Sequence, residues 1–319
     1  MNLLPNTSKD YSIELLRFLA ATSVVFVHIP IVGVGSFGVD IFFAISGFVM
    51  MLSTESSSEN FFLKRIIRVA PTYYIFTLGV FFIALIAPSV LNNTTADFSQ
   101  LVQSLLFVPF DKNGVGHYPI LVLGWTLNYE MYFYLLFALA LRFSPNHKDI
   151  VVTVLLSCIY LLTQSAESLP LAAYSSNIVF DFVLGIIVYQ AYRNKSAIKA
   201  LILISITVFS LVLAKDFNGR FFDLGIGAAL FFYVSLYALS KVNLPAYVGV
   251  LGGYSYALYL THLYIIQVFD KVFGWFGLSI MYQIAALILS LILVNVLAFL
   301  IWQRLEVPLT AYLRRRILS

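Results

Sequence analysis

Residues 11–30 read YSIELLRFLAATSVVFVHIP, and residues 37–54 read FGVDIFFAISGFVMMLST. Each run approaches the roughly 20 apolar residues that carry a helix across a bilayer. The link between them, Ile31 to Ser36, holds Gly33 and Gly35, and its shortness makes the two helices antiparallel neighbours. The same reading, carried outward, finds eight more segments near 69–89, 121–142, 149–165, 170–192, 198–214, 221–240, 246–269 and 277–303. Most links are short; the exception, from Pro88 to Gly124, contains an apolar stretch, Leu101–Phe110, too short to span and expected as an interfacial or re-entrant helix.

Composition agrees. Of 319 residues, 61% are apolar and 11% charged, and the mean hydropathy is +0.93; soluble domains carry about 25% charged residues. A soluble enzyme, a disordered chain and a coiled coil are thereby excluded. No ten-residue alternating pattern recurs, which excludes a barrel. The expected fold is all-α: a polytopic membrane protein of about ten transmembrane helices, in one domain over residues 1–319. The first run follows a single basic residue, Lys9, and is followed by many others, so it reads as a retained helix. One cysteine, Cys158, leaves no disulfide framework and no cysteine metal cluster.

Basic residues set the expected orientation. With a cytoplasmic N-terminus, ten spans place 15 of the 19 Lys and Arg inside, and only Lys112, Lys215, Arg220 and Lys271 outside. The positive-inside rule then gives N-in, C-in. The isoelectric point near 9.0 follows from this one-sided charge, so no nucleic-acid partner is expected.

Ionisable groups at membrane depth cost roughly 2.5–3.5 kcal/mol on insertion scales and are usually functional. Here they are Arg17, His28, Asp40, Glu130, Asp181 and His262. Arg17 and His28 are eleven residues apart; at about 100° and about 1.5 Å per residue they share a helix face, about 16 Å apart along the axis. Arg17 either snorkels to lipid phosphates or serves a site. His28, just before Pro30, is either an interfacial histidine or a base. Antiparallel geometry brings Asp40 to the depth of His28, where a carboxylate fixes an imidazole's tautomer; the plain alternative is a helix cap. Glu130 needs a partner or a proton and reads as structural or catalytic. His262 divides evenly between these readings, and Asp181 reads as paired with a neighbour. Arg65 and Arg68 lie on one helical side before the third span: either they belong to the positive-inside bias or they clamp phosphates.

Taken in order, these fragments resemble a known family, the membrane acyltransferase-3 family. Arg17, ten residues, then His28 resembles its first-helix signature. Residues 38–48, GVDIFFAISGF, and 65–73, RIIRVAPTY, resemble its second-helix and third-helix segments. Residues 125–134, WTLNYEMYFY, resemble its Trp-Ser-Leu element, with Thr126 for serine; 181–185, DFVLG, and 253–262, GYSYALYLTH, resemble its later elements. The likeness is strong over the first four spans and looser beyond.

The resemblance implies a stand-alone bacterial O-acetyltransferase without a fused SGNH domain, multi-pass in the cytoplasmic (inner) membrane. It implies acetyl-CoA as donor on the cytoplasmic side. It implies, as acceptor, a hydroxyl of an envelope or extracellular polysaccharide or of its lipid-linked precursor. On this reading His28 is the general base, Asp40 orients it, and Glu130 orients it or binds the acceptor; a covalent acyl-His28 is a variant. Arg17, Arg65 and Arg68 hold the donor, or Arg17 instead stabilises charge on the carbonyl oxygen. Ser46, Trp125, Tyr134, Ser255 and His262 line the site, and no metal is expected. The alternative is a proton-coupled transporter or flippase relaying protons through Glu130, Asp181 and His28, but no repeat relates the two halves.

Overall fold

Twelve α-helices and no strands make up the described part of the chain. The computed structural model describes residues 11–91, 94–112, 114, 116–166, 171–273 and 279–318. Lys9 and the ends of two expected spans, at 170 and 277, lie outside these residues. The helices are α1 (Tyr11–Val27), α2 (Phe37–Ser53), α3 (Phe61–Ile86), α4 (Phe98–Leu105), α5 (Trp125–Phe143), α6 (Lys148–Thr163), α7 (Phe180–Tyr192), α8 (Ala197–Ala214), α9 (Ile226–Leu239), α10 (Tyr247–Phe273), α11 (Ile280–Ile301) and α12 (Val307–Ile317).

Each expected span contains a helix, and the chain is an all-helical membrane protein. Five described segments are long and apolar enough to cross a bilayer: Phe61–Ile86, Pro145–Thr163, Ala197–Ala214, Phe221–Leu239 and Met281–Ile317. The helices that carry most of the candidate site residues, α1, α2, α5 and α10, are shorter or more polar. α8 and α11 turn Leu201, Phe209, Ile288 and Val296 outward, as lipid-facing helices do.

Several boundaries differ from expectation for local reasons. α3 begins at Phe61, so the Lys64–Arg68 segment is helical rather than a preceding loop. Apolar counting stops at its charges, yet Phe61 packs on Phe137 with ring centroids 5.2 Å apart and holds that turn down. α4 is an amphipathic helix that stops at Leu105, short of Phe110; its start is capped by Asp97, which accepts from Gln100 N at 2.9 Å. α7 starts at Phe180 because 3-10 turns at Leu171–Ser175 and Asn177–Val179 precede it. Beyond α11, a π-helical turn, Trp302–Glu306, leads into α12, which the sequence reading did not anticipate.

Two close crossings centre the bundle. α2 and α7 meet backbone to backbone: a Cβ on Gly47 would overlap Phe182 O, and one on Gly185 would overlap Ala44 O. Membrane helices use small residues for such contacts because van der Waals packing, not water exclusion, drives association. Beside that crossing, Phe182 stacks between Phe43 (4.5 Å) and Phe133 (4.3 Å), joining α5 to the pair. α1 lies along α10, where Gly252 leaves no room for a Cβ against Glu14.

The links sort into two ends. At one end Glu55 meets Arg193 (3.2 Å) and Lys195 (3.3 Å), Lys148 reaches Thr54 O (2.8 Å), and Lys199 meets Asp149 (3.2 Å). At the other, Asn177 donates to Asn218 O (2.6 Å) and Arg220 meets Asp40. There Lys112 binds Thr94 Oγ1 (2.8 Å), Pro119 O (3.2 Å) and Ile120 O (3.3 Å), and burial pushes its amine down to about 8.

Candidate active site

His28 sits just past the end of α1, where the helix tightens. Its N–H turns to Val25 O (3.1 Å), that of Ile29 to Phe26 O (3.2 Å), and residue 30 is a proline without N–H. Val24 O, which a continuing α-helix would give to the amide of His28, is met instead by His28 Nδ1 at 2.9 Å. From α10, the fully buried His262 brings its Nε2 to within 3.2 Å of the same Nδ1, while its own Nδ1 meets Leu258 O at 3.2 Å. A carbonyl oxygen only accepts, so both Nδ1 atoms carry protons. His262 Nε2 is therefore bare and accepts from His28 Nδ1, which shares its proton with Val24 O. The lone pair left over is on His28 Nε2, which has no hydrogen-bond partner among the described residues.

Asp40 is not beside His28. Its fully buried carboxylate takes Arg220 at both oxygens, with Nε to Oδ1 at 2.8 Å and Nη2 to Oδ2 at 2.7 Å. Arg220 also donates to Ser36 O. The expected orienting contact fails because α2 turns this face towards the start of α9, whereas His28 faces α10. Nor is Asp40 a cap, since Ser36 holds that position. Asp181 does not pair as expected: its carboxyl is buried near Asp40 and closely packed against Gly225, and neither of its oxygens has a hydrogen-bond partner among the described residues.

Glu130 joins the guanidinium groups. Its Oε1 accepts from Ser46 Oγ at 3.2 Å and from Tyr134 Oη, and its charge reaches Arg17 and Arg65. Arg17 pairs with Glu14 at 3.6 Å. Arg65 donates to Ser53 Oγ at 2.8 Å and lies over the rings of Phe61 (5.5 Å) and Tyr134 (5.9 Å). Arg68 is within electrostatic reach of Arg17, Arg65, Glu306 and Arg314. Four guanidinium groups thus crowd one end of α1. Buried Arg65 Nε, Arg314 Nε and Glu306 Oε2 make no hydrogen bond. Cations packed this way, with donors unused, form a ready site for a multiply charged anion.

The two halves are joined by Tyr259. Its hydroxyl meets Thr126 Oγ1 (2.7 Å) and donates to Leu123 O (2.9 Å), its ring lies 6.0 Å from that of His262, and Glu130 is within electrostatic reach. Polar groups therefore follow one another from the arginines through Glu130, Tyr259 and His262 to His28. Ser255 serves its own helix, donating to Gly252 O at 2.7 Å. Trp125 lines a cavity of about 300 Å³ between α5 and the links that cover its start. Arg220, Glu306 and Arg314 were not singled out as site residues by sequence reasoning; each acts across the fold, and no local spacing signals it.

The family model of an acyltransferase domain matches residues 10–301. The chain belongs to this acyltransferase family. Its relatives include the exopolysaccharide production protein ExoZ of Rhizobium meliloti (strain 1021), 30% identical over 288 residues, covering 85% of this chain and 89% of that one. A protein of Acidianus two-tailed virus with a provisional acetyltransferase name, ORF330, is 26% identical over 285 residues, covering 80% of this chain and 82% of that one. No solved structure matches. Membership makes the protein an acyltransferase and sets aside the transporter or flippase reading. The matched residues contain all the charged groups above except Glu306 and Arg314.

Proposed function

We propose that this acyltransferase moves an acetyl group from acetyl-CoA to a hydroxyl of an envelope or extracellular glycan, or of its lipid-linked precursor, within a bacterial inner membrane. The observation that carries the reading is the bare Nε2 of His28, whose ring is held at Nδ1 by Val24 O and His262 Nε2, with His262 fixed in turn by Leu258 O. A sugar hydroxyl is a poor nucleophile at neutral pH and needs a base. His28 Nε2 takes the hydroxyl proton as the oxygen attacks the thioester carbonyl carbon. The C–O bond forms, the C–S bond breaks, and the proton passes from His28 to the departing CoA thiolate. As His28 becomes imidazolium, its Nδ1–H strengthens its bonds to Val24 O and His262 Nε2.

The donor sits at the arginine end. CoA carries several phosphates, and Arg65 and Arg314 hold unused buried donors beside Arg17 and Arg68. That end is the cytoplasmic one on the positive-inside count, with N-in, C-in and ten spans. The acceptor arrives from the other side. The relatives' printed names, one concerned with exopolysaccharide and one with acetyl transfer, agree with both partners. Mass spectrometry of envelope glycans from cells with and without the protein tests this. A loss of one acetyl per modified residue supports it, and identical glycans overturn it.

A further inference from the structure

The cavity beside α5 is a built site that the family match leaves unassigned. Trp125 and Tyr129, one helical turn apart, stand edge to face across it at 6.0 Å and 90°. Tyr129 is fixed by its hydroxyl, which donates to Ala173 O at 2.6 Å. Tyr174 meets Tyr129 edge-on at 6.0 Å and is itself stacked on Tyr132 at 4.4 Å. The rings are therefore held in place before any ligand arrives. Asn128 also lines the cavity; its side chain is buried, with 3% of its surface exposed, and its Oδ1 has no hydrogen-bond partner. A buried amide oxygen without a donor is destabilising unless a ligand supplies one.

These features select a ligand. Asn128 Oδ1 is an acceptor and asks for a hydroxyl or an N–H; a phosphate or carboxylate would set oxygen against oxygen. Fixed aromatic faces ask for a flat apolar surface with polar edges. The volume, about 300 Å³, lies at the small end of ligand cavities. A pyranose ring has this shape: C–H groups on its faces, hydroxyls on its rim. Along α5, Thr126 follows Trp125 and bonds Tyr259, whose ring lies 6.0 Å from that of His262.

We infer that this cavity binds one neutral pyranose unit of the acceptor, with Trp125 and Tyr129 against its face and Asn128 accepting from a rim hydroxyl. The inference rests on the acetyl-transfer reading and adds the acceptor site to it. Two sources of that sugar are separated by the probes. One is a soluble oligosaccharide cut from the host's envelope polysaccharide and de-O-acetylated; the other is the host's lipid-linked saccharide fraction.

The test uses the full chain in lipid nanodiscs. Saturation-transfer NMR with each probe reports binding, and acetyl transfer gives the KM for acceptor and for acetyl-CoA. Asn128→Ala is expected to raise the acceptor KM roughly tenfold, the size of one lost neutral hydrogen bond, and to leave the acetyl-CoA KM within about twofold. Trp125→Phe, which keeps a ring, is expected to fall between the wild type and Asn128→Ala. The probe that shows saturation identifies the source. Unchanged acceptor KM in both variants, or binding of neither probe by an active wild type, overturns the acceptor cavity while leaving the acetyl-transfer reading intact. A wild type that transfers no acetyl from acetyl-CoA overturns that reading, and the cavity's role with it.

Discussion

At the scale of single residues, the arrangement around His28 replaces a carboxylate with a second histidine. In many hydrolases a carboxylate orients the base; here His262 Nε2 and a freed backbone carbonyl hold the imidazole that is proposed as base. A neutral orienter can hold the tautomer without adding a charge at membrane depth. His262→Ala is expected to slow transfer roughly ten- to hundredfold, one to two hydrogen bonds' worth, and His262→Gln, whose side-chain oxygen can still accept, to recover most of it. Equal loss in both variants, read as kcat with protein level controlled, would give His262 a packing role only. At the other end, removing Arg65 or Arg68 deletes a charge-assisted contact of about 1.5–3 kcal/mol. The apparent KM for acetyl-CoA should rise roughly tenfold or more, with the acceptor KM unchanged. The sequence placed Arg17, His28 and Glu130 among candidate site residues, because an ionisable group in an apolar run is conspicuous. It did not show the partners. His28 and His262 are 234 positions apart, and Asp40 and Arg220 are 180 apart. Depth along a helix is legible in a sequence, but the direction a side chain faces needs the packing. That is why Asp40 was expected beside His28 and is found on Arg220.

At the scale of elements, small residues decide which helices touch. Gly47 and Gly185 let α2 and α7 meet at their backbones, which sets where Asp40, Ser46 and Asp181 point. Gly185→Val puts methyl groups into Ala44 O with backbone on both sides, so neither helix can give by a side-chain rotation. A loss of at least about 3 kcal/mol is expected, at the upper end of overpacking. Gly79→Ala in α3 meets open space and should be neutral or stabilising by about 0.4–1 kcal/mol. Thermal melts of both in detergent check the pair; equal melting temperatures would contradict the proposed crossing. Arg220→Met leaves Asp40 charged, buried and alone but for Asp181, an expected loss of about 3–5 kcal/mol. Spans of uniform apolarity, such as those in α8 and α11, were readable because lipid tolerates any face. The early start of α3 and the extra α12 were not, because a counting rule for apolar residues halts at charges that protein contacts accommodate.

At the scale of the whole molecule, the proposed donor site and the proposed base occupy different depths, and the polar succession from Arg65 to His28 is the proposed route between them. The account therefore expects sided activity. In sealed vesicles with the arginine end outward, external acetyl-CoA should acetylate glycan enclosed within, and acetyl-CoA enclosed with the glycan should not. The contacts keep the Glu55 and Lys199 ion pairs at one end and the Arg220 link at the other. The decisive measurement is acetyl transfer by full-length His28→Ala, purified in nanodiscs beside the wild type and matched for amount and melting temperature. Loss of at least about a hundredfold in kcat, the contribution of a general base, with the KM for acetyl-CoA unchanged, is the expected result. Transfer at the wild-type rate would contradict the account.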